Sequence, residues 1–273
     1  MNTALTAAHA LDSLTWHAQM GVDMCVEETP QALRAELAVT QATAPLARAV
    51  VMPELPPAAS TTPAAPPTSI ADAVADARKL ADEAGDLAAL EAAIRGFTGC
   101  ALKKTATNTV FAQGVAKSRL MFIGEAPGAE EDRSGVPFCG PSGQLLDTML
   151  GFIGLRRAEN FYITNTLFWR PPGNRPPSTE ELEICRPFVE KHIALINPKI
   201  LVLVGGTATS SVLRDTRGIT RLRGQVFSYK NDYMAAEIPV HVIYHPSYLL
   251  RQPLAKKQAW ADLLKLKAAL LEA

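Results

Sequence analysis

A short apolar segment, then a polar loop, then a helical pattern recurs along the second half of this sequence. The predicted strands cover residues 119–123, 160–164, 200–204 and 240–244. The helical patterns that follow them cover about residues 142–154, 178–196, 206–214 and 254–271. Short apolar strands that alternate with helices predict a parallel sheet covered by helices on both faces.

The first third of the chain has a different composition. Residues 1–42 form a predicted leader, with an amphipathic helical pattern over residues 3–20. Residues 43–69 are rich in proline, alanine, serine and threonine, which predicts an extended linker without a core. A folded domain is expected over residues 70–273, and its first 26 residues have the spacing of a helix pair or one broken helix.

The formal net charge of zero hides an asymmetry along the chain. Residues 1–89 carry 4 basic and 11 acidic side chains, whereas residues 90–273 carry 23 basic and 16 acidic ones. This excess of positive charge is compatible with an anionic ligand for the C-terminal part, although it is too small to indicate nucleic acid by itself.

The cysteine pattern bears on the compartment. The four cysteines are far apart and include no CxxC pair, which favours a reducing compartment over a disulfide scaffold. The sequence begins without a secretory signal pattern, and nowhere do 18 apolar residues run together. We therefore expect a cytoplasmic protein that does not enter a membrane.

Residues 124–140 follow the first predicted strand and form the first candidate site. Apolar residues 120–123 lead directly into glycines, prolines and acids, which predicts a strand that ends in a sharp loop. Because ligands bind at the carboxyl ends of parallel strands, this loop is a candidate site before any family is considered. Glu125 and the aromatic Phe138 are its most informative side chains.

Two later loops occupy equivalent positions. Asn165 ends the second strand, and its amide can read the polar edge of a base, although a lone asparagine there is more often a turn former. His245 follows the last strand and can donate a hydrogen bond to developing negative charge. The glycine pair 205–206 lacks the remainder of a P-loop and indicates close packing. Because three loops converge on one edge of the sheet, their polar residues predict one site.

These loops do not assemble a familiar hydrolytic set. The sequence has no HExxH motif, no evident Ser-His-Asp order and no local histidine spacing for a metal. The acids Glu130, Glu131 and Asp132 leave open a metal-dependent nucleotide phosphohydrolase as an alternative.

From about residue 100 to residue 270, the chain strongly resembles the family 4 uracil-DNA glycosylases. The resemblance rests on GEAPGAEEDRSGVPFCGPSGQLLD at 124–147, YITN at 162–165, RPPGNRPP at 170–177 and HPSYLLR at 245–251. It implies a three-layer α/β/α fold with a central four-stranded parallel sheet and a pocket for a flipped nucleotide. The leader and linker lie outside it and look like those of a bacterial branch.

The resemblance also implies roles for individual residues. Phe138 would stack on uracil, Asn165 would bind its polar edge, and His245 would donate to its O2 atom. Glu125 would position the attacking water, and Glu131 would exclude the 5-methyl group of thymine. It also implies Gly124 and Ala126 in the pocket and Ser247, Leu249 and Arg251 at the DNA. Independently of the family, Arg170 and Arg175 on the stiff proline-rich loop suit phosphate contacts with DNA, although solvated arginines are the commoner explanation.

One departure from the family concerns its [4Fe–4S] cluster, which is held by four cysteines. The positions that correspond to those ligands are Phe97, Cys100, Trp169 and Cys185. Two thiolates cannot satisfy a cluster that needs four ligands, so we expect no cluster, no other cofactor and no metal.

The predicted function is therefore excision of uracil from DNA by hydrolysis of its N-glycosidic bond, by a monomer acting in base excision repair. The chemistry agrees, because the departing base gains negative charge that hydrogen-bond donors stabilise, and a base in a duplex must first be extruded. A uracil-DNA binding module without turnover is the alternative. Covalent trapping through a histidine is disfavoured, because residues 170–177 contain none.

Overall fold

The computed structural model describes residues 69–272. The predicted leader, 1–42, and residues 43–68 of the predicted linker lie outside the described residues. The described part begins at Ser69, the residue that caps the first helix. None of the helices in this part is long and apolar enough to cross a membrane.

The described residues form a six-stranded sheet in the order β1-β3-β2-β4-β6-β5. Its strands are β1 (Ala112–Gly114), β2 (Leu120–Gly124), β3 (Tyr162–Asn165), β4 (Ile200–Val204), β5 (Val226–Tyr229) and β6 (Ile238–Ile243). The four inner strands, β3, β2, β4 and β6, are parallel to one another. These are the four strands that the sequence predicts, each within a few residues of its expected bounds.

Two edge strands extend the central four-stranded parallel sheet that the sequence predicts. β1 pairs with β3, and β5 pairs with β6, both in antiparallel orientation. Each edge strand has at most four residues, and its side chains are exposed or half-buried rather than continuously apolar. Such short edge strands lack the apolar run that predicts a buried parallel strand.

Helices cover both faces of the sheet, as expected. The helices are α1 (Ile70–Glu83), α2 (Leu87–Gly96), α3 (Ala129–Ser134), α4 (Pro141–Gly151), α5 (Thr179–Ile196), α6 (Gly206–Leu213), α7 (Ile219–Leu222), α8 (Pro246–Arg251) and α9 (Lys256–Glu272). Residues 70–96 therefore form a helix pair, and the side chain of Asp86 caps the second helix by accepting from the backbone N–H of Ala89.

Alternate residues of β2 show how the layers are built. Met121 and Ile123 pack into the core beneath α1, α2 and α5, whereas Leu120 and Phe122 pack into the core beneath α4 and α9. Successive side chains of a strand point to opposite faces, so a strand that is buried on both faces must be apolar throughout. The run of residues 120–123 meets this requirement.

The register of the inner strands places three loops side by side. Gly124 at the end of β2 lies opposite Asn165 at the end of β3. Beyond β2 in the strand order, Val204 at the end of β4 lies opposite Ile243 at the end of β6. The carboxyl ends of these strands therefore form one edge, and the loops that leave them meet there.

Candidate active site

A cavity of about 540 Å³ lies at this edge of the sheet. Most of the predicted site residues line it, namely Glu125, Ala126, Glu131, Phe138, Asn165, Arg175, His245, Ser247 and Arg251. Arg170 and Leu249 are not among the residues that line it. Gly124 lies immediately behind the wall, against Phe138 and Asn165.

Asn165 is held rigidly at the end of β3 with its side chain buried. Its Oδ1 atom is buried without a hydrogen-bond partner in the described part of the chain. A buried acceptor without a donor costs on the order of 1–3 kcal/mol, and such atoms occur where a ligand supplies the missing partner. A bound molecule with an N–H group would satisfy this atom.

Gly124 permits the close contact between Asn165 and Phe138. A Cβ atom built on Gly124 would lie 2.3 Å from Phe138 Cζ and 2.6 Å from Asn165 Oδ1. Both separations are far below van der Waals contact, so a side chain here would displace the aromatic ring or the amide. The absence of a side chain at Gly124 therefore leaves the space that the Phe138 ring and the Asn165 amide occupy.

Phe138 adopts the left-handed backbone conformation, with φ of 53°. Its ring is buried, and the ring centroid lies 5.8 Å from that of His245 with a tilt of 32° between the two planes. Residues with a Cβ atom rarely adopt this backbone conformation, and they do so mainly at sites where the surroundings hold them. The conformation places an aromatic face on the cavity wall.

His245 caps the N-terminus of α8 with its own ring. Its Nδ1 atom accepts a hydrogen bond from the backbone N–H of Ser247 at 3.1 Å, and the Ser247 hydroxyl lies 2.8 Å from the same atom. The pKa of His245 is lowered to about 4, chiefly by burial and also by the positive charge of Arg251, while Glu131 partly opposes the shift. The ring is therefore neutral near pH 7, with its proton on Nε2.

Glu131 joins the two ends of the loop that follows β2. Its carboxylate accepts from the backbone N–H of Gly128 at 3.1 Å and from that of Gly140 at 2.9 Å. These hydrogen bonds hold the residue in the cavity wall and connect it to the segment that carries Phe138. Glu125 is fixed through its backbone, whose oxygen accepts from the Thr166 hydroxyl at 2.6 Å.

The acidic run of residues 130–132 does not form a metal site. Glu130 pairs with Arg133, Glu131 binds the loop backbone, and Asp132 accepts from the backbone N–H of Thr107 at 2.8 Å. Within residues 69–272, no group of three or more His, Cys, Asp or Glu side chains could hold a metal ion. All three carboxylates are bound to an arginine or to backbone N–H groups in and around the loop. This argues against the phosphohydrolase alternative.

The loop after β3 supplies a second wall of the cavity. Arg175 is paired with Glu181, with hydrogen bonds of 2.9 Å and 2.5 Å, and this carboxylate raises the pKa of the arginine. Arg170 does not line the cavity, but its Nε atom donates at 2.7 Å to Oδ1 of Asn174, which does. These contacts shape the proline-rich loop, and only Arg175 of the two arginines faces the cavity.

Leu249, which we expect to contact DNA, is buried in this structure. Leu249 is 0% exposed and packs into the core beneath α4 and α9. Its neighbours Tyr248 and Leu250 are 37% and 47% exposed. The short helix α8 turns Leu249 inward, and the exposed apolar side chains at this position belong to the residues on either side of it.

The four positions that we assign to cluster ligands from the resemblance form part of the apolar core. Cys100 and Cys185 are both fully buried, and a hydrogen bond between them lowers the pKa of Cys100 and raises that of Cys185. The rings of Phe97 and Trp169 stack with centroids 6.4 Å apart, and the Trp169 Nε1 atom donates to the Thr109 hydroxyl at 3.0 Å. Two thiols among aromatic rings do not fit a [4Fe–4S] cluster.

Several cavity residues were not among the predicted ones, namely Pro127, Gly128, Ser142, Pro171, Asn174 and Pro176. Ser142 lies in the first turn of α4, which follows Gly140 and begins with Pro141. A glycine followed by a proline is a helix-start signal, and it could have drawn attention to this residue.

The cavity thus lies at the carboxyl ends of parallel strands and is lined by an amide, an aromatic ring and a neutral histidine. The sequence profile of the Uracil DNA glycosylase superfamily matches residues 111–264. The chain belongs to this superfamily.

Curated relatives narrow the similarity to one type. A Type-4 uracil-DNA glycosylase of Archaeoglobus fulgidus is 39% identical over 171 residues, which are 61% of this chain and 84% of that protein. One of Thermotoga maritima is 40% identical over 159 residues, 58% of this chain and 80% of that protein. One of Sulfurisphaera tokodaii is 37% identical over 173 residues, 62% of this chain and 77% of that protein.

Proposed function

We propose that this protein is a uracil-DNA glycosylase that flips uracil out of DNA and hydrolyses its N-glycosidic bond. The observation that carries the proposal is the state of His245, a neutral imidazole whose Nδ1 is occupied by the Ser247 N–H. Its Nε2–H is then available to a ligand in the same cavity as Asn165 and Phe138. Membership of the superfamily and the Type-4 relatives support the same activity.

Recognition of the base falls to Asn165 and Phe138. The unpartnered Oδ1 atom of Asn165 accepts the N3–H group of uracil, and cytosine has an acceptor at that ring position. The ring of Phe138 offers a stacking face for the extruded base. Flipping a base costs a few kcal/mol, so a pocket that both stacks and reads the base is needed to hold it.

Bond cleavage depends on His245 and Glu125. As the glycosidic bond lengthens, negative charge grows on uracil O2 and positive charge grows on the sugar. The Nε2–H of the neutral His245 donates to O2, and a donor aimed at developing charge in a buried site typically accounts for about 100- to 1,000-fold in rate. Glu125 lines the same cavity and orients the water that attacks the sugar.

Glu131 is assigned the exclusion of thymine. Its carboxylate is tied to the backbone N–H groups of Gly128 and Gly140, so it cannot swing away from an incoming 5-methyl group. A wall that is fixed by two hydrogen bonds discriminates by size better than a free side chain does.

DNA contacts are assigned to residues around the cavity mouth. Ser247 and Arg251 line the cavity and lie on α8, and Arg175 lines it on the proline-rich loop. Arg170 lies outside the cavity on the same loop, where it can reach a flanking phosphate. A monomer in the cytoplasm, with a bacterial origin, stays a prediction from the sequence.

The cluster is proposed to be absent from this protein. Phe97 and Trp169 occupy two of the four ligand positions with rings that pack against Phe188 and Phe168. Aromatic packing then stabilises a region that a cluster would otherwise cross-link, and no step of the proposed reaction passes through iron.

The direct test is base release from a defined oligonucleotide. The protein is incubated with DNA that contains one uracil, then treated with alkali, and cleavage is expected at the uracil and not at a matched thymine. His245→Gln is expected to lower the single-turnover rate about 100- to 1,000-fold. His241→Gln is the matched control, because His241 lies on β6, the strand that precedes His245, and lines a different groove.

The binding-module alternative is separated by the same reaction. Absence of cleavage at every salt concentration, with retained binding of uracil DNA, would establish binding without turnover. A denaturing gel distinguishes covalent trapping, since a trapped complex migrates as protein plus DNA. Chelator should leave base release unchanged, whereas a metal-dependent phosphohydrolase would lose its activity.

A further inference from the structure

We infer that Arg157 is a positioning residue that holds Phe138 in the conformation needed to stack on the base. Arg157 does not line the cavity, and none of the sequence motifs includes it. The inference rests on the proposed function, because it concerns the pocket for the flipped base. It is carried by the hydrogen bonds that the Arg157 guanidinium makes around the Phe138 backbone.

The guanidinium of Arg157 bridges two consecutive carbonyl groups. Its Nη1 atom donates to the oxygen of Pro137 at 2.6 Å, and its Nη2 atom donates to the oxygen of Phe138 at 2.9 Å. The planar guanidinium presents its N–H donors in a fixed geometry, so it can bind two acceptors and set their relative orientation. The peptide groups before and after Phe138 are thereby both hydrogen-bonded to the rigid guanidinium of Arg157.

The guanidinium is itself anchored from two other elements. Asp147 on α4 accepts from its Nη2 atom at 2.9 Å and 3.0 Å, and Gln113 on β1 accepts from its Nη1 atom at 2.7 Å. The Arg157 side chain is only 13% exposed, so these hydrogen bonds are partly shielded from water. Charge-assisted hydrogen bonds of this kind are stronger than neutral ones.

Gly143 allows α4 to lie close to the Phe138 carbonyl. A Cβ atom built on Gly143 would lie 1.7 Å from the Phe138 oxygen, which shows how closely the α4 backbone approaches it. The carbonyl therefore contacts both α4 and the Arg157 guanidinium. Glu131 holds Gly140, two residues further along the chain.

Phe138 needs such support because of its backbone. A φ of 53° is unfavourable for a residue with a Cβ atom, so an unrestrained turn would relax toward a commoner conformation. Relaxation would rotate the ring away from the edge of Gly124 and from His245. Since a displacement of about 1 Å can cost about 100-fold in rate, Arg157 contributes to catalysis without touching the base.

A double-mutant cycle tests the inference. Single-turnover excision of uracil is measured for wild type, Arg157→Ala, Phe138→Ala and the double variant. We expect Arg157→Ala to be about 10- to 100-fold slower than wild type, and the double variant to be no slower than Phe138→Ala. Losses that multiply in the double variant, or an Arg157→Ala rate within about twofold of wild type, would overturn the inference.

Controls separate positioning from general destabilisation. Arg156→Ala removes an adjacent arginine that pairs only loosely with Glu159 at 3.9 Å, and it should leave the rate unchanged. Arg157→Lys keeps the charge but lacks the planar pair of donor nitrogens that orients the two carbonyl groups, so it should be slow while it folds normally. If Arg157→Ala does not fold, Arg157→Lys takes its place in the cycle with the same criteria.

A crystal structure of the slow variant makes the result independent of the activity. We expect the Phe138 ring to leave its position beside Gly124, or to occupy two positions, in Arg157→Lys. If the Phe138 ring does not move in Arg157→Lys, the inference is refuted, even though the wild-type enzyme releases uracil. A wild-type protein that releases no uracil would instead refute the proposed function, and the structure would still decide the role of Arg157.

Discussion

The Nδ1 atom of His245 accepts a hydrogen bond from the backbone N–H of Ser247, two residues further along the chain. This contact with the first turn of α8 sets the tautomer of the ring. An imidazole nitrogen that accepts a hydrogen bond through its lone pair cannot also carry a proton. The remaining proton lies on Nε2. One local interaction thus prepares a neutral hydrogen-bond donor, and burial of the ring keeps it neutral.

The first prediction concerns the pH dependence of base release. The pKa of His245 is lowered from 6.5 to about 4, so the single-turnover rate should depend little on His245 between pH 8 and pH 5. It should fall as the pH falls through about 4, because a proton on Nδ1 would oppose the Ser247 N–H and turn the ring. The rate profile, compared with an NMR titration of His245, checks this. An inflection near pH 6.5 that disappears in His245→Gln would contradict it.

The second prediction distinguishes the two leucines of α8. Leu249→Ala should lower the free energy of unfolding by about 2–5 kcal/mol, because a fully buried side chain is removed from the core. Leu250→Ala should change stability by less than about 0.5 kcal/mol. It should slow excision from duplex DNA on the order of tenfold, because an exposed side chain beside the cavity helps to replace the extruded base. Thermal unfolding and rates on duplex and single-stranded substrates measure the two effects.

Defined results would contradict the predictions for Leu250 and Leu249. Equal slowing on single-stranded and duplex substrates would show that this side chain does not act on the duplex. Unchanged stability of Leu249→Ala would show that α8 is turned differently from the arrangement described above.

The third prediction concerns the salt dependence of DNA binding. Arg251→Ala should reduce the slope of log affinity against log salt by about 0.9, which corresponds to the loss of one phosphate contact. Arg175→Ala should reduce it less, because Glu181 already neutralises much of that charge. Affinity for a non-cleavable uracil analogue in DNA, measured at several salt concentrations, gives both slopes.

A matched control is available for the salt experiment. Arg217 pairs with Asp215 and is not among the residues that line the cavity. Arg217→Ala should therefore leave the slope at its wild-type value. A larger effect for Arg175→Ala than for Arg251→Ala would reverse the assignment of the two arginines.

The fourth prediction concerns iron. Protein purified without oxygen should contain far less than one iron and one sulfide per chain, because only two of the four positions that we assign to cluster ligands carry cysteine. Elemental analysis and the absence of a visible cluster absorption band measure this. Four irons per chain would refute the prediction and would require ligands other than Phe97 and Trp169.

The strands of the inner sheet were predictable because their side chains are buried on both faces. Such strands must be apolar throughout, as residues 120–123 and 200–204 are, so local composition reports their position. The edge strands β1 and β5 were not predictable in the same way. They are held by backbone pairing to β3 and β6, which places few demands on their own side chains.

Some residues of the site were likewise predictable from the sequence, and others were not. Glu125, Asn165 and His245 were found because each directly follows a predicted strand, and parallel strands bring such positions to one edge. The inward orientation of Leu249 was missed, because in a helix of six residues the core that it meets decides which of two adjacent leucines is buried. Arg157 was missed because its partners lie on β1, on α4 and in the loop before α4.

The loop of residues 124–140, with its glycines, prolines and acids, therefore owes its location to the sequence and its shape to the tertiary structure. The order of apolar and polar residues alone determined the parallel sheet, the position of the three loops and the set of residues available for chemistry, because burial demands apolar side chains wherever a strand is covered. The tertiary structure decided that Phe138 is left-handed and that Glu131 ties the loop ends together. These features depend on hydrogen bonds between groups brought together by folding, and such contacts leave no periodic pattern in the sequence.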